Sequence, residues 1–286
     1  YLQQLNESGM VKQLLKPGAA VPKAAHKVKA GESWRIELRP TPQSQAFRPE
    51  AMELDIVYQD EHLLVLNKPA GLVVHPAPGN WSGTLLNGLL HADAQAALLP
   101  RAGIVHRLDK DTSGLMVVAR TRSVMDALVA LIARREVSRQ YLALAHRPWR
   151  GGSPLEVDRP IGRDPSNRLR MAVVDLATSA GKTAFTTIEH LMSSERACWV
   201  RCILKTGRTH QIRVHMASLG HPLVSDTLYG GAALGDMQRQ ALHAWRLAFT
   251  HPVSGKVLSF DANLPEDMKE LGRFLGLEYN MPNLAC

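Results

Sequence analysis

The chain has 286 residues, enough for one large domain with a small appendage, and its 45% hydrophobic and 21% charged residues are ordinary for a soluble globular protein. No apolar run approaches the ~20 residues of a membrane helix, and three scattered cysteines argue against a disulfide framework. The net charge of +8 indicates a polyanionic partner such as nucleic acid, but a basic surface without a partner explains the charge equally well.

Two of the three cysteines lie in one alternating segment, residues 197–204. Cys198 and Cys202 would share one face of a strand there, so we expect two small core residues rather than a metal pair. The third cysteine is Cys286. The sparse cysteines and the lack of a visible signal peptide predict a protein of the reducing cytoplasm.

Residues 1–40 form a small basic segment, with cations at Lys12, Lys16, Lys23, Lys27, Lys29 and Arg35. Within it, residues 28–38 predict a turn followed by a short alternating strand. A polar, proline-bearing stretch comes next, and we place a linker at residues 41–53. Residues 54–286 are then interpreted as one continuous domain.

Strands outnumber helices along this larger domain. Residues 54–58 and 63–66 predict a hairpin, residues 82–97 carry leucines at helical spacing, and Ser123 is predicted to cap another helix. The remaining predicted elements are strands at residues 138–146, 183–188, 199–205, 247–250 and 257–260 and a closing helix at residues 265–275. This order favours an α+β fold with a mixed, largely antiparallel sheet flanked by helices and loops.

The most informative segment is residues 103–115, a short polar loop with two carboxylates, two cations and a cluster of hydroxyls. The loop runs directly into an apolar run, residues 115–119, which predicts a buried strand. Catalytic groups often lie on a loop that a rigid element holds in place. Asp109 is therefore the first catalytic candidate, and a solvated surface aspartate is the alternative.

A second polar cluster covers residues 205–216, where a strand ends and a helix begins. Thr209 is predicted to cap this helix and Gly220 to end it. Arg213 would then lie in the first turn, where the helix dipole disfavours a cation. Either an anion meets Arg213 or its side chain points to water, and the local electrostatics leaves both open.

Four histidines raise the question of a metal site: His106, His210, His215 and His221. The two on the predicted helix are five residues apart, which is awkward on one face, and the zinc-protease spacing is absent, so we expect no metal. We expect His106 and His210 to hydrogen-bond phosphate or backbone. Neither a glycine-rich phosphate loop nor a nucleophile elbow occurs, which leaves a carboxylate activated by a neighbouring arginine as the reactive group.

Several segments now form a recognisable series in chain order, at residues 67–76, 106–114, 206–215, 223–231 and 240–244. Together they resemble the pseudouridine synthases of the RluA/RluD type over roughly residues 54 to 265. The resemblance implies the pseudouridine synthase fold and isomerisation of uridine in structured RNA, with no metal and no organic cofactor. Residues 1–40 are more weakly similar to a truncated S4-type RNA-binding module that several family members carry.

The resemblance also implies roles for single residues. Asp109 is the catalytic carboxylate, which either adds to the base or assists a sugar intermediate, and Arg213 pairs with it. Tyr141 packs on the uracil, whereas its place on an alternating strand would by itself predict a core residue. Arg107 fills the space of the extruded base or holds its phosphate. The other residues expected to contact RNA are His106, Lys205, Arg208 and His210.

Two places depart from the family pattern. Ser225 stands where the family usually has glycine, which calls for a different turn but does not touch the chemistry. Residues 163–181 fit the family only loosely, and we expect this segment to bear on the choice of substrate.

The substrate that the resemblance favours is large-subunit ribosomal RNA, in line with the S4-like segment, and transfer RNA is the alternative. A non-catalytic RNA-binding or ribosome-assembly protein on the same scaffold is the rival interpretation, but it would not need Asp109, Tyr141 and Arg213 together. A nucleoside or glycoside hydrolase would need a second catalytic carboxylate, for which no convincing candidate is found. We expect a monomer with RNA as its partner and no membrane association.

Overall fold

The computed structural model describes residues 2–14, 23, 25–41 and 43–279. Lys16 and Cys286, both named above, lie outside the described residues. The chain divides into two compact units, Tyr1–Phe47 and Arg48–Cys286, and the division falls inside the segment predicted as a linker. None of the described helices has the length and the apolar character needed to span a bilayer.

The smaller unit contains, among its described residues, a short helix and a two-stranded antiparallel ribbon: α1 (Leu2–Glu7), β1 (Val11–Gln13) and β2 (Trp34–Ile36). Strand β2 lies within the residues predicted to form a turn and a strand. Lys12 and Arg35 lie directly opposite each other in the ribbon, and both are exposed. Like charges placed across a ribbon repel, so an anion bound there would relieve the repulsion. The likeness to an S4-type module stays a prediction.

The larger unit alternates strands with a few helices. Its described strands are β3 (Ile56–Gln59), β4 (Leu63–Lys68), β5 (Ser113–Ala119), β6 (Ser138–His146), β7 (Leu155–Asp158), β8 (Ile161–Arg163), β9 (Met171–Val173), β10 (Gly181–Lys182), β11 (Phe185–Ser193), β12 (Ala197–Leu204), β13 (Leu242–Thr250) and β14 (Val257–Asp261). Its described helices are α2 (Leu85–Ala92), α3 (Arg122–Ala133), α4 (Gln211–Ser218) and α5 (Glu266–Phe274).

One sheet dominates the larger unit, with its described strands in the order β3-β4-β5-β13-β6-β12-β11-β7 and with β14 also paired to β13. Strands β5 and β13 are parallel, and the other described neighbours in this sheet are antiparallel. The predicted mixed, largely antiparallel sheet is therefore confirmed. A smaller sheet has the order β10-β8-β9, and the segment 163–181 runs from the end of β8 through β9 to the start of β10.

The large sheet carries an apolar core on each face, and strand β6 shows how its sequence divides between them. Tyr141, Ala143 and Ala145 point into the core that also contains side chains of α2 and α4. Leu142 and Leu144 point into the opposite core with side chains of α5. Each of these leucines is 0% exposed, which contributes about 1.5–3 kcal/mol of hydrophobic stabilisation per side chain. The period-2 alternation thus places Tyr141 on the face that carries α4.

Helix α2 is shorter than the helix predicted at residues 82–97, because it ends at Ala92. Asp93 adopts an extended backbone, and its carboxylate accepts the Gln95 N–H to cap a separate 3-10 turn, Ala94–Leu98. The leucines at helical spacing end at Leu90, and the residues after them include four alanines, which are good helix formers, so the pattern did not locate the break.

Helix α3 begins at Arg122, and its cap lies two residues before the predicted one. Thr121 is its N-cap and accepts the Val124 N–H, so Ser123 lies inside the helix and the predicted Ser123 cap is wrong. Thr121 and Ser123 are both good capping residues. The first of them satisfies the N–H groups of the first turn and thereby sets the start of the helix.

Strands β5 and β13 approach each other closely where the polar loop ends. Gly114 has a φ of +116°, and a Cβ at this position would lie 2.2 Å from the carbonyl oxygen of Ala244 on β13. Only glycine tolerates both the backbone conformation and the contact. Gly114 therefore allows β5 to carry the loop with Asp109 directly beside β13 and β6.

Candidate active site

A cavity of about 660 Å³ brings the two polar clusters together. Its wall contains residues 104–109 from the first cluster, residues 204–213 from the second and Tyr141 from β6. Asp109 is the one carboxylate among the described residues that line the cavity. Apart from Arg213, the cations in the wall are Arg101, Arg107, Arg135, Arg139, Lys205 and Arg208. The cavity therefore attracts anions while it presents a single acid.

Asp109 and Arg213 are distant in sequence but meet in this cavity. The Nη1 of Arg213 donates a hydrogen bond to Asp109 Oδ2 at 3.2 Å. The same guanidinium donates to both oxygens of Asp226, from Nε at 2.7 Å and from Nη2 at 2.8 Å. The side chain of Asp226 is only 1% exposed, and that of Asp109 is 17% exposed. The cation in the first turn of α4 is thus met by two anions rather than by water.

The two carboxylates decide the charge and the orientation of Arg213. Burial pushes the pKa of Arg213 down, but the hydrogen bonds and charges of Asp226 and Asp109 outweigh burial, so the pKa is raised. A bidentate pair also fixes the plane of a guanidinium. Asp226 therefore orients Arg213, which in turn holds Oδ2 of Asp109. The other oxygen, Oδ1, faces His210 Nε2 at 3.9 Å.

Asp226 is a site residue that sequence reasoning missed, although its segment was among those that carry the resemblance. Ser225 before it has a φ of +61°, the left-handed region that favours glycine, so the glycine that the resemblance leads one to expect here would adopt this backbone without strain. The Ser225 hydroxyl donates to the Met237 carbonyl at 2.7 Å and helps to hold this conformation. A carboxylate directly after a position that prefers glycine was the available signal for a tight turn with a fixed acid.

Helix α4 begins one residue later than predicted, and its cap is of another kind. His210 occupies the N-cap in the left-handed conformation and makes no capping hydrogen bond with its side chain. Instead, Oε1 of Gln211 accepts the Arg208 N–H at 3.0 Å and the Thr206 hydroxyl at 2.8 Å. The predicted Thr209 cap is wrong, because the longer Gln211 side chain reaches back to the turn and leaves Thr209 exposed.

His210 connects Asp109 to a tyrosine on the far side of its ring. The Tyr229 hydroxyl accepts the Met171 N–H at 2.9 Å and lies 2.7 Å from His210 Nδ1. The hydroxyl proton is therefore assigned to the bond with Nδ1, which leaves the Nε2–H facing Asp109. Burial lowers the pKa of His210, in keeping with this neutral form. The Tyr229 ring also lies 5.0 Å from the Arg213 guanidinium carbon and packs against it.

Tyr141 lies in the wall of the cavity and is 6% exposed. Burial raises the pKa of Tyr141 to about 12, with Arg139 opposing and Asp109 adding to the effect. The phenol therefore stays protonated near neutral pH and presents a ring and an O–H group, not a phenolate. Tyr141 belongs to the core and to the cavity at once, so the two interpretations of this residue are compatible.

A comparison of the sequence with known protein families shows which family contains this chain. Residues 62–218, more than half of the chain, match the model of a family described as RNA pseudouridylate synthase. The chain belongs to the RNA pseudouridylate synthase family. The protein is therefore an isomerase that acts on RNA, and the polar clusters at Asp109 and Arg213 lie inside the matched region.

Similar proteins agree with this family. "Ribosomal large subunit pseudouridine synthase D" of Neisseria meningitidis is 49% identical over 265 residues, which cover 88% of this chain and 69% of that protein. The protein of the same name from Zymomonas mobilis is 42% identical over 288 residues, 96% of this chain and 88% of that one. The solved structure of "Human RNA Pseudouridylate Synthase Domain Containing 1" has a TM-score of 0.59 and 26% identity, over 78% of this chain and 87% of that chain.

In this synthase, the residues expected to contact RNA all line the cavity, but they are held differently. His106 Nε2 accepts the Val117 N–H at 3.1 Å, and burial lowers the pKa of His106 to about 3, so this neutral ring ties the polar loop to β5. Arg107 is exposed at the cavity. Arg208 Nε donates to the Thr183 carbonyl at 2.9 Å. Their contacts with RNA stay predictions.

The cavity wall also contains the cations Lys205, Arg101 and Arg135. Lys205 lies 4.2 Å from the centre of the Phe185 ring and 3.6 Å from Glu156. Arg101 and Arg135 are exposed, have a positive φ of 54° and 65°, and were not found by sequence reasoning. Such backbone conformations are costly for arginine and cluster at functional sites. They place two further cations beside the cavity of the synthase.

Lys68 is a fully buried lysine that supports the polar loop from behind. Its ammonium donates to the carbonyl oxygens of Pro69 at 2.8 Å and of Leu72 and Lys110 at 2.9 Å. The Lys110 carbonyl belongs to the loop that carries Asp109. Burial lowers the pKa of Lys68 from 10.5 to about 8, although the nearby Asp111 opposes this. The side chain thus fastens the segment after β4 to the loop that carries Asp109.

Replacing Lys68 by methionine should make stability less sensitive to alkaline pH. The pKa of Lys68 is lower in the folded protein than in the unfolded chain, so between pH 8 and pH 10 the unfolded chain binds more protons. The free energy of unfolding of the wild type, relative to the Lys68→Met variant, should therefore rise by up to about 3 kcal/mol across that interval. Urea unfolding at several pH values measures it. A difference that does not change with pH would contradict a buried, charged lysine.

The other histidines considered as metal ligands have structural partners. His215 Nδ1 lies 2.9 Å from the Thr186 hydroxyl, and its Nε2 lies 2.9 Å from the Arg159 carbonyl oxygen. His221 Nδ1 lies 2.9 Å from the His146 carbonyl oxygen. Within the described ranges, no group of three or more His, Cys, Asp or Glu side chains is arranged to hold a metal ion. These rings therefore fasten α4 and its following turn to neighbouring strands.

Proposed function

We propose that this synthase isomerises specific uridines in large-subunit ribosomal RNA, with Asp109 as the catalytic carboxylate and with Arg213 and Tyr141 as its partners. The observation that supports this assignment is the contact between Asp109 and Arg213 at 3.2 Å, in a cavity where Asp109 is the one carboxylate of the described lining and six further cations line the wall. The choice of ribosomal RNA is supported by the names of the relatives from Neisseria meningitidis and Zymomonas mobilis.

The geometry supports a different role for each of these three residues at the reacting nucleotide. The N1–C1′ glycosidic bond breaks, the uracil turns, and a bond forms between C5 and C1′. Arg213 holds Oδ2 of Asp109 and fixes the direction of the carboxylate, while Oδ1 lies 3.9 Å from His210 Nε2. Asp109 either adds to the base or assists a sugar intermediate, and Tyr141 supplies the surface on which the uracil packs.

The nucleotide must leave its helix to reach this cavity. Unstacking a base costs on the order of a few kcal/mol, which contacts with the RNA backbone have to offset. The exposed cations Arg101, Arg107 and Arg135 border the cavity and are suited to phosphate groups. Arg107 lies in the same polar loop, two residues before Asp109, and we propose that it fills the space of the extruded base or holds its phosphate.

Mapping of pseudouridines in cellular RNA with and without the gene tests the proposal. We expect the loss of defined pseudouridines from large-subunit ribosomal RNA and their return when the wild-type gene is restored. Losses confined to transfer RNA would identify transfer RNA as the substrate instead. An unchanged pattern of pseudouridines in all RNA would contradict the proposed activity. A cytoplasmic location and a monomeric state stay part of the proposal, and size-exclusion chromatography with light scattering tests the latter.

Neutralising the cations of the smaller unit should weaken RNA binding more than catalysis. The variant changes Lys12, Lys23, Lys27, Lys29 and Arg35 to glutamine, since all five are exposed. The affinity for RNA should fall, and the slope of log affinity against log salt should decrease by about 0.7 for each phosphate that the variant no longer neutralises. Filter binding over a salt series measures both.

The matched control neutralises two exposed cations of α5, Lys269 and Arg273, which already pair with Glu266. We expect this control to bind RNA almost as the wild type does. An unchanged affinity and salt slope in the five-residue variant would show that the smaller unit does not bind RNA.

A further inference from the structure

Arg139 is a buried cation that the proposed reaction does not yet use. It lies on β6, on the same face as Tyr141 and two residues before it, and it lines the cavity. The residue is 6% exposed. Its Nε is buried without a hydrogen-bond partner, and in the described part of the chain no residue forms a hydrogen bond or ion pair with its guanidinium.

The two buried arginines of the cavity differ in their charge balance. Arg213 contacts both Asp109 and Asp226, so its charge is compensated within the protein. Arg139 has no such partner, because the one carboxylate of the described lining is already engaged by Arg213. Burial lowers the pKa of Arg139, and nearby Arg208 adds to the effect although Tyr141 opposes it. A buried cation without a counter-charge is strongly unfavourable unless a ligand supplies the missing partner.

The guanidinium of Arg139 lies against the turn that follows β12. Strand register places Arg139 opposite Leu204, the last residue of β12. A Cβ at Gly207 in the turn would lie 2.8 Å from Arg139 Nη1, so the glycine leaves room for the guanidinium. The donors of Arg139 are thus inside the cavity wall, whereas Arg107 and Arg135 are exposed.

We propose that Arg139 donates a hydrogen bond to a carbonyl oxygen of the target uracil and stabilises the negative charge that the ring acquires during the reaction. This inference rests on the proposed function. When the N1–C1′ bond breaks, its electron pair stays on the uracil and spreads over N1, O2 and O4. A C5–C1′ bond then forms from a π pair of the ring, the C5 proton leaves, and N1 takes up a proton, so that no outside reagent is consumed.

The position of Arg139 favours the base over a backbone phosphate. The phosphates of an extruded nucleotide stay at the edge of the cavity, where the exposed cations Arg101, Arg107 and Arg135 are placed to bind them. The part of the nucleotide that enters deepest is the base, and Tyr141, the residue proposed to pack on it, is two positions from Arg139 on the same strand face. A fixed donor in a dry site also stabilises a developing charge much more than one in water.

The test compares Arg139→Gln with a matched control on the neighbouring strand. Arg246 on β13 lies opposite Gln140, lines no part of the cavity and pairs with Asp261 at the surface. The rate is measured in single turnover at saturating RNA, as tritium release from uridine labelled at C5, and the affinity by filter binding. We expect Arg139→Gln to slow the saturated rate about 100-fold with an affinity within about threefold of wild type, and Arg246→Gln to change neither.

Two further variants keep the test decisive if Arg139→Gln folds poorly. Arg139→Lys retains the charge without the planar fork, and we expect it to keep a rate between those of the wild type and of Arg139→Gln. For Arg139→Ala, added guanidinium at millimolar concentration should restore part of the rate, whereas sodium at equal ionic strength should not. Thermal unfolding of each variant separates a loss of the fold from a loss of rate.

Each outcome has a defined meaning. A loss of affinity with an unchanged saturated rate would overturn the proposal and assign Arg139 to a phosphate. Unchanged rate and affinity in Arg139→Gln would also overturn the proposal. So would a complete loss of rate that neither the Arg139→Lys substitution nor added guanidinium restores, and either result would leave Arg139 with a structural role. The wild type serves as the separate check on the proposed function, because absence of tritium release from the wild-type protein would refute the activity itself, whatever the variants do.

Discussion

Replacing Asp109 by asparagine should lower turnover at least about a thousand-fold while the affinity for RNA changes less than about threefold. Asparagine keeps the shape of the side chain, but it removes the negative charge that either chemical route requires. We expect RNA binding to depend instead on the cations around the cavity, which the substitution leaves in place. Single-turnover tritium release from RNA labelled at uridine C5 measures the rate, and filter binding measures the affinity.

Asp111 provides the matched control for this experiment. It lies in the same loop but does not line the cavity, so Asp111→Asn should retain most of the wild-type rate. A wild-type rate in Asp109→Asn would remove the carboxylate from the chemistry. A decrease in affinity as large as the decrease in rate would instead assign Asp109 to RNA binding.

Replacing Asp226 by asparagine should affect both stability and turnover, although Asp226 does not line the cavity. Its carboxylate holds two nitrogens of Arg213 at 2.7 and 2.8 Å, and it is 1% exposed. Removing the charge from one partner of a buried pair costs about 3–5 kcal/mol of folding stability. A displaced guanidinium would no longer hold Asp109, and a small misplacement of this kind costs about 100-fold in rate. Urea unfolding and single-turnover kinetics measure the two effects.

A double substitution separates the positioning role of Asp226 from its role in stability. Arg213→Met combined with Asp226→Leu replaces a buried ion pair by apolar side chains, and such replacements are often neutral or stabilising. We expect the double variant to be more stable than Asp226→Asn and yet inactive, because Asp109 no longer has its guanidinium. An active double variant, or a fully active Asp226→Asn variant, would contradict the proposal that Asp226 positions Asp109 through Arg213.

Local patterns were most informative where one strand or loop carries its own signal. The bounds of β6 agree with the predicted strand at residues 138–146, and residues 141–145 alternate between the two cores. Cys198 and Cys202 share one core, as expected from their spacing on β12. Helix starts were less predictable, since Thr121 and Ser123 are both suited to capping and the turn before α4 is held by Gln211, whose side chain accepts the Arg208 N–H.

The residues of the site also differ in whether a local sequence pattern could identify them. Asp109 and Arg213 could be named from motifs that are continuous in the chain, and Tyr141 could be named only from its place in the family resemblance. The role of Asp226 could not, because its value lies in a bidentate contact with Arg213 that depends on a left-handed turn at Ser225. Lys68 and Arg139 were equally invisible, since a sequence does not show that a cation is buried.

The amino-acid sequence by itself determined the mixed sheet, the family and the acid that we expect to react, because alternation and contiguous motifs are local properties of a chain. Only the tertiary structure decided which charges are compensated. Arg213 receives two carboxylates, Lys68 receives three carbonyl oxygens and Arg139 receives no partner among the described residues. Each of these outcomes depends on strand register and on the exclusion of water, which bring together segments that are far apart in the chain.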